Sequence, residues 1–572
     1  MLTKLTVRNF KTLEEAEVPL GQNVVLIGPN NAGKTTALQA LALWQTGLRE
    51  WLARRANGSS AEARTGVTVN RRALTHTPVT DTRSLWHDLK VTSVRRDDAG
   101  QDTQHIFLDV VVEGDTAGVP WACGLEFYRA NAESIYCRPL RLSDDKGDAR
   151  MPVPPEAGSA KIALLPPMSG LASEEPELQR GRISVLLGEG QTAQVLRNLC
   201  FAVHQSSAKD WSAIVAEIER LFGAILGTPQ RDPARGTIEL SYTQSKGVML
   251  DLASAGRGMQ QTLLLLAHLY ANPGSALLLD EPDAHLEILR QRQVYSLLSE
   301  TARKTGSQII AASHSEVVLN EAADKDVVVA FVGKPHRIDD RGSQVRKALI
   351  EIGFDQYYQA ELKGFVIYLE GATDLAILRG FARVLDHPSL KILDDAFVHY
   401  VANQPKSAEY HFHGLREAKP DLIGFALFDR LGTSLPHGFN IPARQWKRRE
   451  IENYVCSRDL LIRFAVGSEP DDLVGHALQG TRRDAMAFAI ERVESALTEL
   501  GRDPWSANFK VSDDFLPNVF KRYYEKLGTP QRLDKTDFHT LTDVLLPSEV
   551  DSEVVEVLDI IVAQSKLASP RR

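Results

Sequence analysis

Cysteine is scarce in this sequence, which has four such residues among 572. They are Cys123, Cys137, Cys200 and Cys456, and no two of them have the C-x-x-C spacing of a zinc knuckle. Their scatter does not indicate a disulfide framework of the kind that holds small secreted domains together. We therefore expect buried free thiols and a chain that is stabilised by its apolar core.

Long apolar runs are also missing. Runs such as TLLLLAHLYA at 262–271 and SALLLD at 275–280 stop well short of the roughly 18 residues that a membrane span needs. The N-terminal MLTKLTVRNF lacks the apolar stretch of a signal peptide. We expect a soluble, cytoplasmic protein with no membrane partner.

An excess of positive charge is absent as well. The chain has 66 basic and 74 acidic residues, which gives a formal net charge of −8. If nucleic acid binds, local basic patches must hold it, because the overall field does not attract it. One such patch is RQWKRR at 444–449. It is read equally well as a phosphate-contacting patch with an interleaved tryptophan and as the exposed start of a helix.

The sequence divides into two α/β rhythms. The composition is that of an ordinary globular protein, and the length predicts two to four domains. Alternation predicts an antiparallel sheet over 91–145, Pro, Gly and Glu predict a loop over 146–181, and helical periodicity predicts a helical insert over about 182–225. Strands and helices then alternate as in a parallel sheet. A second rhythm near 365, with a helical tail, predicts domains 1–345 and 346–572.

A phosphate-binding loop is indicated by GPNNAGKTT at 28–36, which fits G-x-x-x-x-G-K-[ST] between a predicted strand and a predicted helix. The glycines let the backbone N–H groups face phosphate oxygens, and the helix N-terminus adds a favourable dipole. Lys34 is placed on the β and γ phosphates and Thr35 on Mg²⁺. The predicted nucleotide-binding residues of the loop are Gly28, Asn30, Asn31, Gly33, Lys34, Thr35 and Thr36.

The second half of the predicted nucleotide site is ALLLDEP at 276–282, an apolar strand that ends in two acids. Asp280 is suited to hold the Mg²⁺ shell and Glu281 to polarise the attacking water. His314 ends the next predicted strand. Taken alone, it would be read as a hydrogen-bonded histidine without a catalytic role.

Together these motifs resemble those of the ATP-binding-cassette ATPases. The resemblance implies that ATP is the nucleotide and that His314 is the switch histidine. It also implies that SAGRGMQQ at 254–261 is the signature loop, in which Ser254 and Gly256 meet the phosphate held by a second subunit. We therefore expect ATP between two heads of a homodimer or larger homo-oligomer, with the helical insert as a dimerisation subdomain.

Carboxylates in the second half predict a metal site. FVIYLEGATD at 365–374 places Glu370 at the tip of a strand and Asp374 in the turn that follows. IGFALFD ends another strand with Asp429, at the edge of a parallel sheet where α/β ligands bind. Glu450 and Glu452 follow in REIENYV. Such oxygen ligands suit Mg²⁺ or Mn²⁺ and in-line phosphodiester cleavage. The alternative is that Glu370 and Asp374 cap a helix.

These acids resemble the TOPRIM catalytic domain, and the domain order resembles that of the overcoming-lysogenization-defect (OLD) nucleases, with the Gabija nuclease subunit and the PARIS anti-phage effectors as similar cases. TOPRIM domains usually have D-x-D, whereas this chain has Leu431 after Asp429. Either Glu450 or Glu452 replaces the missing ligand, or one metal site is weak, or the nuclease chemistry is lost. We favour replacement. The resemblance implies Glu281, His314, Glu370, Asp374, Asp429 and Glu452 as catalytic residues.

Three further residues receive weaker interpretations. Lys535 matches the late lysine of some OLD nucleases, but a solvated surface lysine is the preferred reading. His411 and His413 alternate as if on a strand or loop and lack partners at zinc spacing, so we expect them to be bystanders.

The resemblance implies an ATP-regulated, Mg²⁺- or Mn²⁺-dependent endonuclease that cuts DNA in anti-phage defence. Two alternatives stay open: the same architecture cutting RNA such as tRNA, and a DNA-repair or chromosome-associated ATPase that does not cut. The sequence does not decide whether ATP activates or restrains cleavage, or whether a partner protein from the same operon takes part.

Overall fold

The computed structural model describes residues 1–56, 66–97, 100–142, 149–244, 247–323, 325–338, 352–431, 435, 439–467 and 473–570. The chain divides into two compact units, which are Met1–Arg346 and Lys347–Arg572. Each unit is described by itself. Among the described residues, no helix is both long enough and apolar enough to cross a membrane.

Unit 1 is a mixed α/β unit. Its strands are β1 (Leu2–Phe10), β2 (Leu13–Pro19), β3 (Asn23–Ile27), β4 (Val67–Asn70), β5 (Thr92–Asp97), β6 (Gly100–His105), β7 (Leu108–Thr116), β8 (Val119–Asn131), β9 (Ser134–Pro139), β10 (Ile162–Leu165), β11 (Ile225–Leu226), β12 (Gln230–Asp232), β13 (Thr237–Glu239), β14 (Ser241–Thr243), β15 (Met249–Asp251), β16 (Ala276–Asp280), β17 (Gln308–Ser313), β18 (Val327–Ala330) and β19 (His336–Arg337). Its helices are α1 (Lys34–Ala56), α2 (Pro155–Ser159), α3 (Arg180–Gly188), α4 (Leu196–Ser206), α5 (Ala208–Phe222), α6 (Arg257–Ala271), α7 (Ile288–Thr305) and α8 (Glu316–Ala322).

The central sheet of unit 1 has the strand order β10-β16-β17-β3-β18-β19, and its pairs are parallel except for β18 with β19. Strand β17 lies between β3 and β16. The loop after β3, the acids at the end of β16 and the residue after β17 therefore emerge at one edge of the sheet. This arrangement fits the ATPase-head fold expected for the first half of the chain.

Both faces of the central sheet are covered. Side chains that alternate along a strand point to opposite faces. Leu278 joins the core formed with α1 and the antiparallel sheet β2-β1-β7-β8-β9-β4. Leu277 and Leu279 join the opposite core, which includes apolar residues of α3 to α7. Near-continuous apolar strands such as ALLLD are therefore typical of this buried parallel sheet.

One prediction about the organisation of unit 1 is confirmed, and two need correction. The antiparallel sheet expected over 91–145 is confirmed by β7, β8 and β9. The stretch 146–181 is not all loop, because its apolar run forms β10, which pairs with β16 at the edge of the central sheet. The helices expected over 182–225 are present, but they share one core with α6 and β16 and do not form a separate one.

Unit 2 is built on a four-stranded parallel sheet. Its strands are β20 (Phe365–Leu369), β21 (Phe397–Tyr400), β22 (Ile423–Phe428) and β23 (Ala443–Gln445). Its helices are α9 (Phe354–Lys363), α10 (Ala372–Val384), α11 (Ser389–Asp394), α12 (Pro405–Ala418), α13 (Arg458–Val466), α14 (Leu473–Glu499), α15 (Val511–Asp514), α16 (Leu516–Leu527) and α17 (Ser552–Ser565). The order is β21-β20-β22-β23, and all pairs are parallel.

The helical tail of unit 2 completes its core. Apolar residues of α13, α14, α16 and α17 pack with those of β20 and α10 in one cluster. Helix α17 begins where the Asp551 side chain accepts a hydrogen bond from the Glu553 backbone, which is a typical N-cap. Short 3₁₀ segments, Ile451–Tyr454 and Lys535–Val544, lie between the helices.

The structure tests the predictions for His411 and His413 and for the four cysteines. His411 and His413 lie on α12, so the expected strand or loop is wrong. His411 is buried, its Nδ1 lies 3.0 Å from the Tyr368 hydroxyl, and its ring stacks on His399 at 3.7 Å. All four cysteines are free. Three are buried, as expected, and Cys456 is half-buried.

Candidate active sites

The phosphate-binding loop of unit 1 depends on two glycines. Gly28 has a φ of +154°, and a Cβ there would lie 2.8 Å from the Phe331 carbonyl oxygen. Gly33 has a φ of +100°, and a Cβ there would lie 2.6 Å from Leu13 Cδ2. Both positions need glycine, because the backbone conformation and the space exclude other side chains. Between them, Asn30 and Asn31 are exposed, and Asn31 adopts a left-handed conformation with a φ of 63°.

Lys34 folds back onto the loop that it follows. Its Nζ donates hydrogen bonds to the carbonyl oxygens of Gly28, at 2.7 Å, and Pro29, at 2.8 Å. Burial lowers the pKa of the ammonium, against the charges of Asp280, Glu281 and Asp283, which raise it. Arriving phosphates would replace these two carbonyl acceptors with charged ones, which bind an ammonium more strongly.

The hydroxyls after Lys34 connect the loop to its surroundings. Thr35 Oγ1 donates to Asp280 Oδ1 at 3.0 Å, so the two predicted Mg²⁺ ligands are in contact. Burial raises the pKa of Asp280 to about 6, and the Thr35 hydrogen bond opposes this shift. Thr36 Oγ1 lies 3.0 Å from Thr12 Oγ1. Thr12 belongs to the turn between β1 and β2, which has no motif that sequence reasoning could use.

Glu281 and His314 face each other across the sheet edge. His314 Nδ1 lies 3.9 Å from Glu281 Oε1, and both side chains are exposed to solvent. Glu281 has a φ of 49°, a strained conformation for a side-chain-bearing residue, and its N–H donates to the Ala312 carbonyl. That backbone hydrogen bond keeps Glu281 at the tip of β16, beside Asp280 and close to the phosphate loop.

The predicted signature residues begin α6. Ser254 ends a 3₁₀ turn, Leu252–Ser254, and Gly256 occupies the N-cap position of α6; both are exposed. No side chain of the described residues caps this helix end. Its N–H groups and its dipole therefore suit an anion such as a phosphate.

In unit 2, Glu370 and Asp429 follow neighbouring parallel strands. Tyr368 on β20 pairs with Ala426 on β22, so the residues after the two strands reach the same sheet edge. The Glu370 side chain, through hydrogen bonding and its charge, helps to raise the pKa of Asp429. The Asp429 N–H donates to Asn403 Oδ1 at 3.1 Å. Asn403 lies between β21 and α12, and the sequence offered no motif by which to find this contact.

Asp374 has two roles in this cluster. Its Oδ2 accepts a hydrogen bond from the Glu370 backbone at 3.0 Å, which is the helix-capping contact considered above. Burial and the Glu370 charge raise its pKa to about 6, against backbone hydrogen bonds that lower it. Gly371 has an extended backbone with a φ of −154°, which any residue can adopt, so the position of Asp374 does not require a glycine there.

Four carboxyl groups influence one another at this edge. Burial raises the pKa of Asp429 well above its usual range, and the hydrogen bond with Glu370 and the charges of Glu370, Asp374 and Glu452 add to the shift. Burial, then the charges of Glu450 and Asp374, raise the pKa of Glu452 to about 8. Buried carboxylates that face like charges favour protonation or a bound cation. We call Glu370, Asp374, Asp429 and Glu452 the acid cluster.

Glu450 and Glu452 have different surroundings although they are close in sequence. Glu450 is 2% exposed, and its two carboxylate oxygens accept hydrogen bonds from the Ser512 N–H, at 2.6 Å, and the Ser512 hydroxyl, at 2.9 Å. It joins the turn Ile451–Tyr454 to the start of α15. The structure therefore gives Glu450 a structural contact with Ser512, its predicted metal ligation stays a prediction, and its charge raises the pKa of Glu452.

Lys510 and Lys535 lie beside the acid cluster, and both form ion pairs with Asp513. Lys510 Nζ is 2.7 Å from Asp513 Oδ2, and Lys535 Nζ is 2.5 Å from Asp513 Oδ1. The Lys510 charge interacts with Glu450 and Glu370, and the Lys535 charge lowers the pKa of Glu450 and Glu452. Lys535 is half-exposed, yet it is not an isolated surface lysine. Sequence reasoning missed Lys510 and Asp513.

The donor set of the acid cluster suits a hard divalent cation, because it consists of carboxylate oxygens. In their present arrangement, no three or more acidic, histidine or cysteine side chains of the described residues form a closed set of metal ligands. The Asp374 side chain accepts a hydrogen bond from the Glu370 backbone, and the Glu370 side chain contributes to the raised pKa of Asp429. The fit depends on the mutual repulsion of these buried acids, which a cation would relieve.

The basic segment 444–449 is neither a helix start nor a patch with an exposed tryptophan. Its first residues belong to β23, and Trp446 is buried in the core of unit 2. Arg448 donates to the Asn453 carbonyl at 2.9 Å and to Asp551 at 3.3 Å, with its guanidinium over the Tyr454 ring. Arg448 therefore stabilises the turn Ile451–Tyr454, which contains Glu452. Arg444, Lys447 and Arg449 are the exposed cations of the segment.

Comparisons with protein families place both halves of the nucleotide site in segments that resemble ATPases. A model described as "AAA ATPase domain" matches residues 1–51, which contain the phosphate-binding loop. A model described as "AAA domain, putative AbiEii toxin, Type IV TA system" matches residues 202–320, which contain the signature segment, Asp280, Glu281 and His314. These matches support an ATP-binding ATPase unit.

Two curated proteins are similar to parts of the chain. The OLD nuclease of Thermus scotoductus is 26% identical over 361 residues, with 58% of this chain and 64% of the relative covered. The oligopeptide transport ATP-binding protein AppD of Bacillus subtilis is 34% identical over 77 residues, with 14% and 23% covered. The chain thus spans less than two thirds of the length of either relative.

Solved structures with similarity to this chain include heads of SMC proteins. An SMC head bound to the C-terminal winged-helix domain of ScpA is 16% identical with a TM-score of 0.34, covering 59% of this chain and 97% of that one. The SMC head domain from Thermotoga maritima is 15% identical with a TM-score of 0.30, covering 59% and 98%.

Proposed function

We propose that this protein is an ATP-hydrolysing, divalent-metal-dependent endonuclease of the OLD type, with a TOPRIM-like catalytic unit 2. Its cellular role would be to cut DNA in anti-phage defence as a homodimer or larger homo-oligomer, with or without a partner protein from the same operon. The observation that carries the proposal is the electrostatic coupling of one buried and three partly buried carboxyl groups, which come from the ends of β20 and β22, the first turn of α10 and the turn Ile451–Tyr454. The similarity to an OLD nuclease supports it.

In unit 1, each residue has a separate task during ATP hydrolysis. Lys34 would leave its two loop carbonyls and neutralise the β and γ phosphates. Thr35 and Asp280 would hold Mg²⁺, which supplies charge compensation for those phosphates. Glu281 would accept the proton of the attacking water, and His314, whose Nδ1 lies 3.9 Å from Glu281 Oε1, would help to hold that water. Ser254 and Gly256 would close the site held by a second copy.

In unit 2, the acid cluster would bind the divalent cation that takes part in cleavage of the nucleic-acid substrate. Glu370, Asp374, Asp429 and Glu452 are the residues that would bind Mg²⁺ or Mn²⁺. The chemistry supplied there is stabilisation of the attacking and leaving oxygens of an in-line displacement. Lys510 and Lys535 would position the phosphodiester, because both ammonium groups lie beside the cluster and are held by Asp513.

A second candidate is a DNA-repair or chromosome-associated ATPase whose unit 2 binds without cutting. Two observations favour it. Leu431 replaces the second aspartate of D-x-D, and the acidic side chains of the described residues do not yet form a closed set of metal ligands. Cleavage of RNA, such as tRNA, is a variant of the first proposal that uses the same residues.

The test separates the two units. Purified protein is incubated with supercoiled plasmid, phage DNA and total RNA, with and without ATP, and with Mg²⁺ or Mn²⁺. Glu370→Gln should abolish cleavage and keep ATP hydrolysis, whereas Lys34→Ala should abolish hydrolysis. Glu409→Gln, on the exterior of α12, is the control. If wild-type protein cuts none of the substrates under any condition, the non-cutting ATPase replaces the nuclease proposal.

A further inference from the structure

Arg197, at the start of α4, is an arginine with only 1% of its side chain exposed. It lies outside the motifs for nucleotide binding. A buried guanidinium loses much hydration free energy, so the groups that it contacts must compensate for that loss. Its contacts therefore indicate which parts of the unit must stay together.

The Arg197 guanidinium connects two segments of unit 1. Nη1 donates to the Ala172 carbonyl at 2.8 Å, and Nη2 lies 3.4 Å from the Ser173 carbonyl oxygen. Nη2 also donates to Asp251 Oδ1 at 2.9 Å. The first two acceptors belong to the loop before α3, and Asp251 ends β15. The charge pair with Asp251 thus links α4 to the residue that precedes the turn Leu252–Ser254, where the signature segment begins.

The same Asp251 oxygen holds the signature segment in place. Asp251 Oδ1 accepts a hydrogen bond from the Ala253 N–H at 2.7 Å and so caps the turn Leu252–Ser254. Gln260 Nε2, on α6, donates to the Leu252 carbonyl at 3.1 Å from the other side. The backbone that presents Ser254 is therefore fixed between α4 and α6.

We infer that Arg197, through Asp251, is a positioning residue for the signature segment, and that it makes ATP hydrolysis depend on the packing of α4. This inference rests on the proposed ATPase function and adds a control point to it. A cavity of about 780 Å³, lined by Arg197 and Asp251 among others, lies beside the pair. Asp251 itself is half-exposed, so a substitution there removes no buried side chain.

Asp251→Asn is the test variant. The asparagine keeps an oxygen that can accept from the Ala253 N–H, but it removes the charge that faces Arg197. Asp81→Asn is a matched control. Asp81 likewise caps a 3₁₀ turn, with Oδ1 2.7 Å from the Arg83 N–H, and pairs with an arginine, Arg129, at 3.3 Å. The control turn, Thr82–Leu85, has no part in the proposed site.

Two measurements are made on full-length protein. In steady-state ATP hydrolysis, Asp251→Asn should lower kcat about tenfold or more with KM unchanged, because the signature segment is misplaced while the phosphate loop is intact. In amide hydrogen exchange, residues 252–258 should exchange faster in Asp251→Asn than in wild type. Asp81→Asn should match wild type at these amides and in kcat.

The outcomes distinguish this inference from the proposed function. If Asp251→Asn keeps the kcat of Asp81→Asn, or if exchange at 252–258 is unchanged, the positioning role of Arg197 is wrong. If wild-type protein does not hydrolyse ATP, the proposed function fails, and the exchange data alone then decide whether the pair holds this segment.

Discussion

The two candidate sites treat their charges in opposite ways. In unit 1, the charged groups form hydrogen bonds within the chain: Lys34 donates to two backbone carbonyls, and Asp280 accepts from the Thr35 hydroxyl. In unit 2, acids face acids, and the pKa of Asp374, Asp429 and Glu452 is raised. In unit 1, burial still raises the pKa of Asp280 to about 6, but the Thr35 hydrogen bond and the Lys34 charge oppose that shift. The acid cluster of unit 2 is held in an unfavourable state that a bound cation would relieve.

This difference indicates how each site depends on its ligand. In unit 1, phosphates and Mg²⁺ would replace partners that Lys34, Thr35 and Asp280 already have within the chain. The acid cluster gains stability only when positive charge arrives, so its metal affinity should be linked to protonation and to the stability of unit 2.

The largest effect is expected in unit 1 from Glu281→Gln. If Glu281 accepts the proton of the attacking water, hydrolysis should fall about a thousandfold while ATP binding persists. Single-turnover hydrolysis and equilibrium binding of a fluorescent ATP analogue measure these two quantities. Glu287→Gln, at the exposed residue before α7, is the control. A fall of less than tenfold in Glu281→Gln would show that another group activates the water.

The acid cluster should respond differently to its two neighbouring glutamates. Glu452→Gln should lower metal-dependent cleavage about a hundredfold, because it removes a proposed ligand, with little loss of thermal stability. Glu450→Gln should lower stability by about 1–2 kcal/mol, because its charged hydrogen bonds to Ser512 weaken. Cleavage assays and thermal unfolding measure the two effects. Equal loss of cleavage in both variants, at equal stability, would restore Glu450 as a ligand.

Metal-induced stabilisation of the nucleotide-free protein should depend on pH. Carboxyl groups with a raised pKa bind more protons in the folded than in the unfolded state, so their contribution to stability falls as pH rises from about 4 towards 8. Metal binding needs the deprotonated forms, and the pKa is about 6 for Asp374 and about 8 for Glu452. The rise in Tm on adding Mn²⁺ should therefore grow between about pH 5.5 and 8.5. A profile that is flat in wild type and in Glu452→Gln alike would contradict this linkage.

A smaller effect is expected from Lys510→Ala. If Lys510 contacts a phosphate, duplex affinity should weaken several-fold, and the slope of log K against log salt should lose about one unit. Fluorescence anisotropy at several salt concentrations gives this slope. Lys521→Ala, an exposed lysine on α16, is the control. An unchanged slope in Lys510→Ala would assign the lysine to the Asp513 pair alone.

Local motifs were predicted well, whereas contacts between distant segments were not. The loop at 28–36 could be recognised because each residue type serves a position within nine residues of sequence. Glu450 could not be separated from Glu452, because its partner Ser512 lies 62 residues away. Asp513, which holds Lys510 and Lys535, carries no motif for the same reason.

Short apolar elements were the other difficulty. The four residues of β10 have too short a pattern to distinguish an edge strand from a loop, and only pairing with β16 defines them. Likewise, helical periodicity predicted α3 to α5, but it could not show that their apolar faces pack on α6. Burial of a particular face depends on the tertiary structure.

The central claim is that carboxyl groups from separate strands of unit 2 share one divalent cation. Titration calorimetry with Mn²⁺, without nucleotide and in an Asp280→Asn background that removes the acid of unit 1, tests it most directly. The account predicts one nucleotide-independent site per chain, which Glu450→Gln retains and Asp429→Asn loses, with proton release on binding at pH 7. Equal Mn²⁺ binding with and without the Asp429→Asn substitution would contradict it.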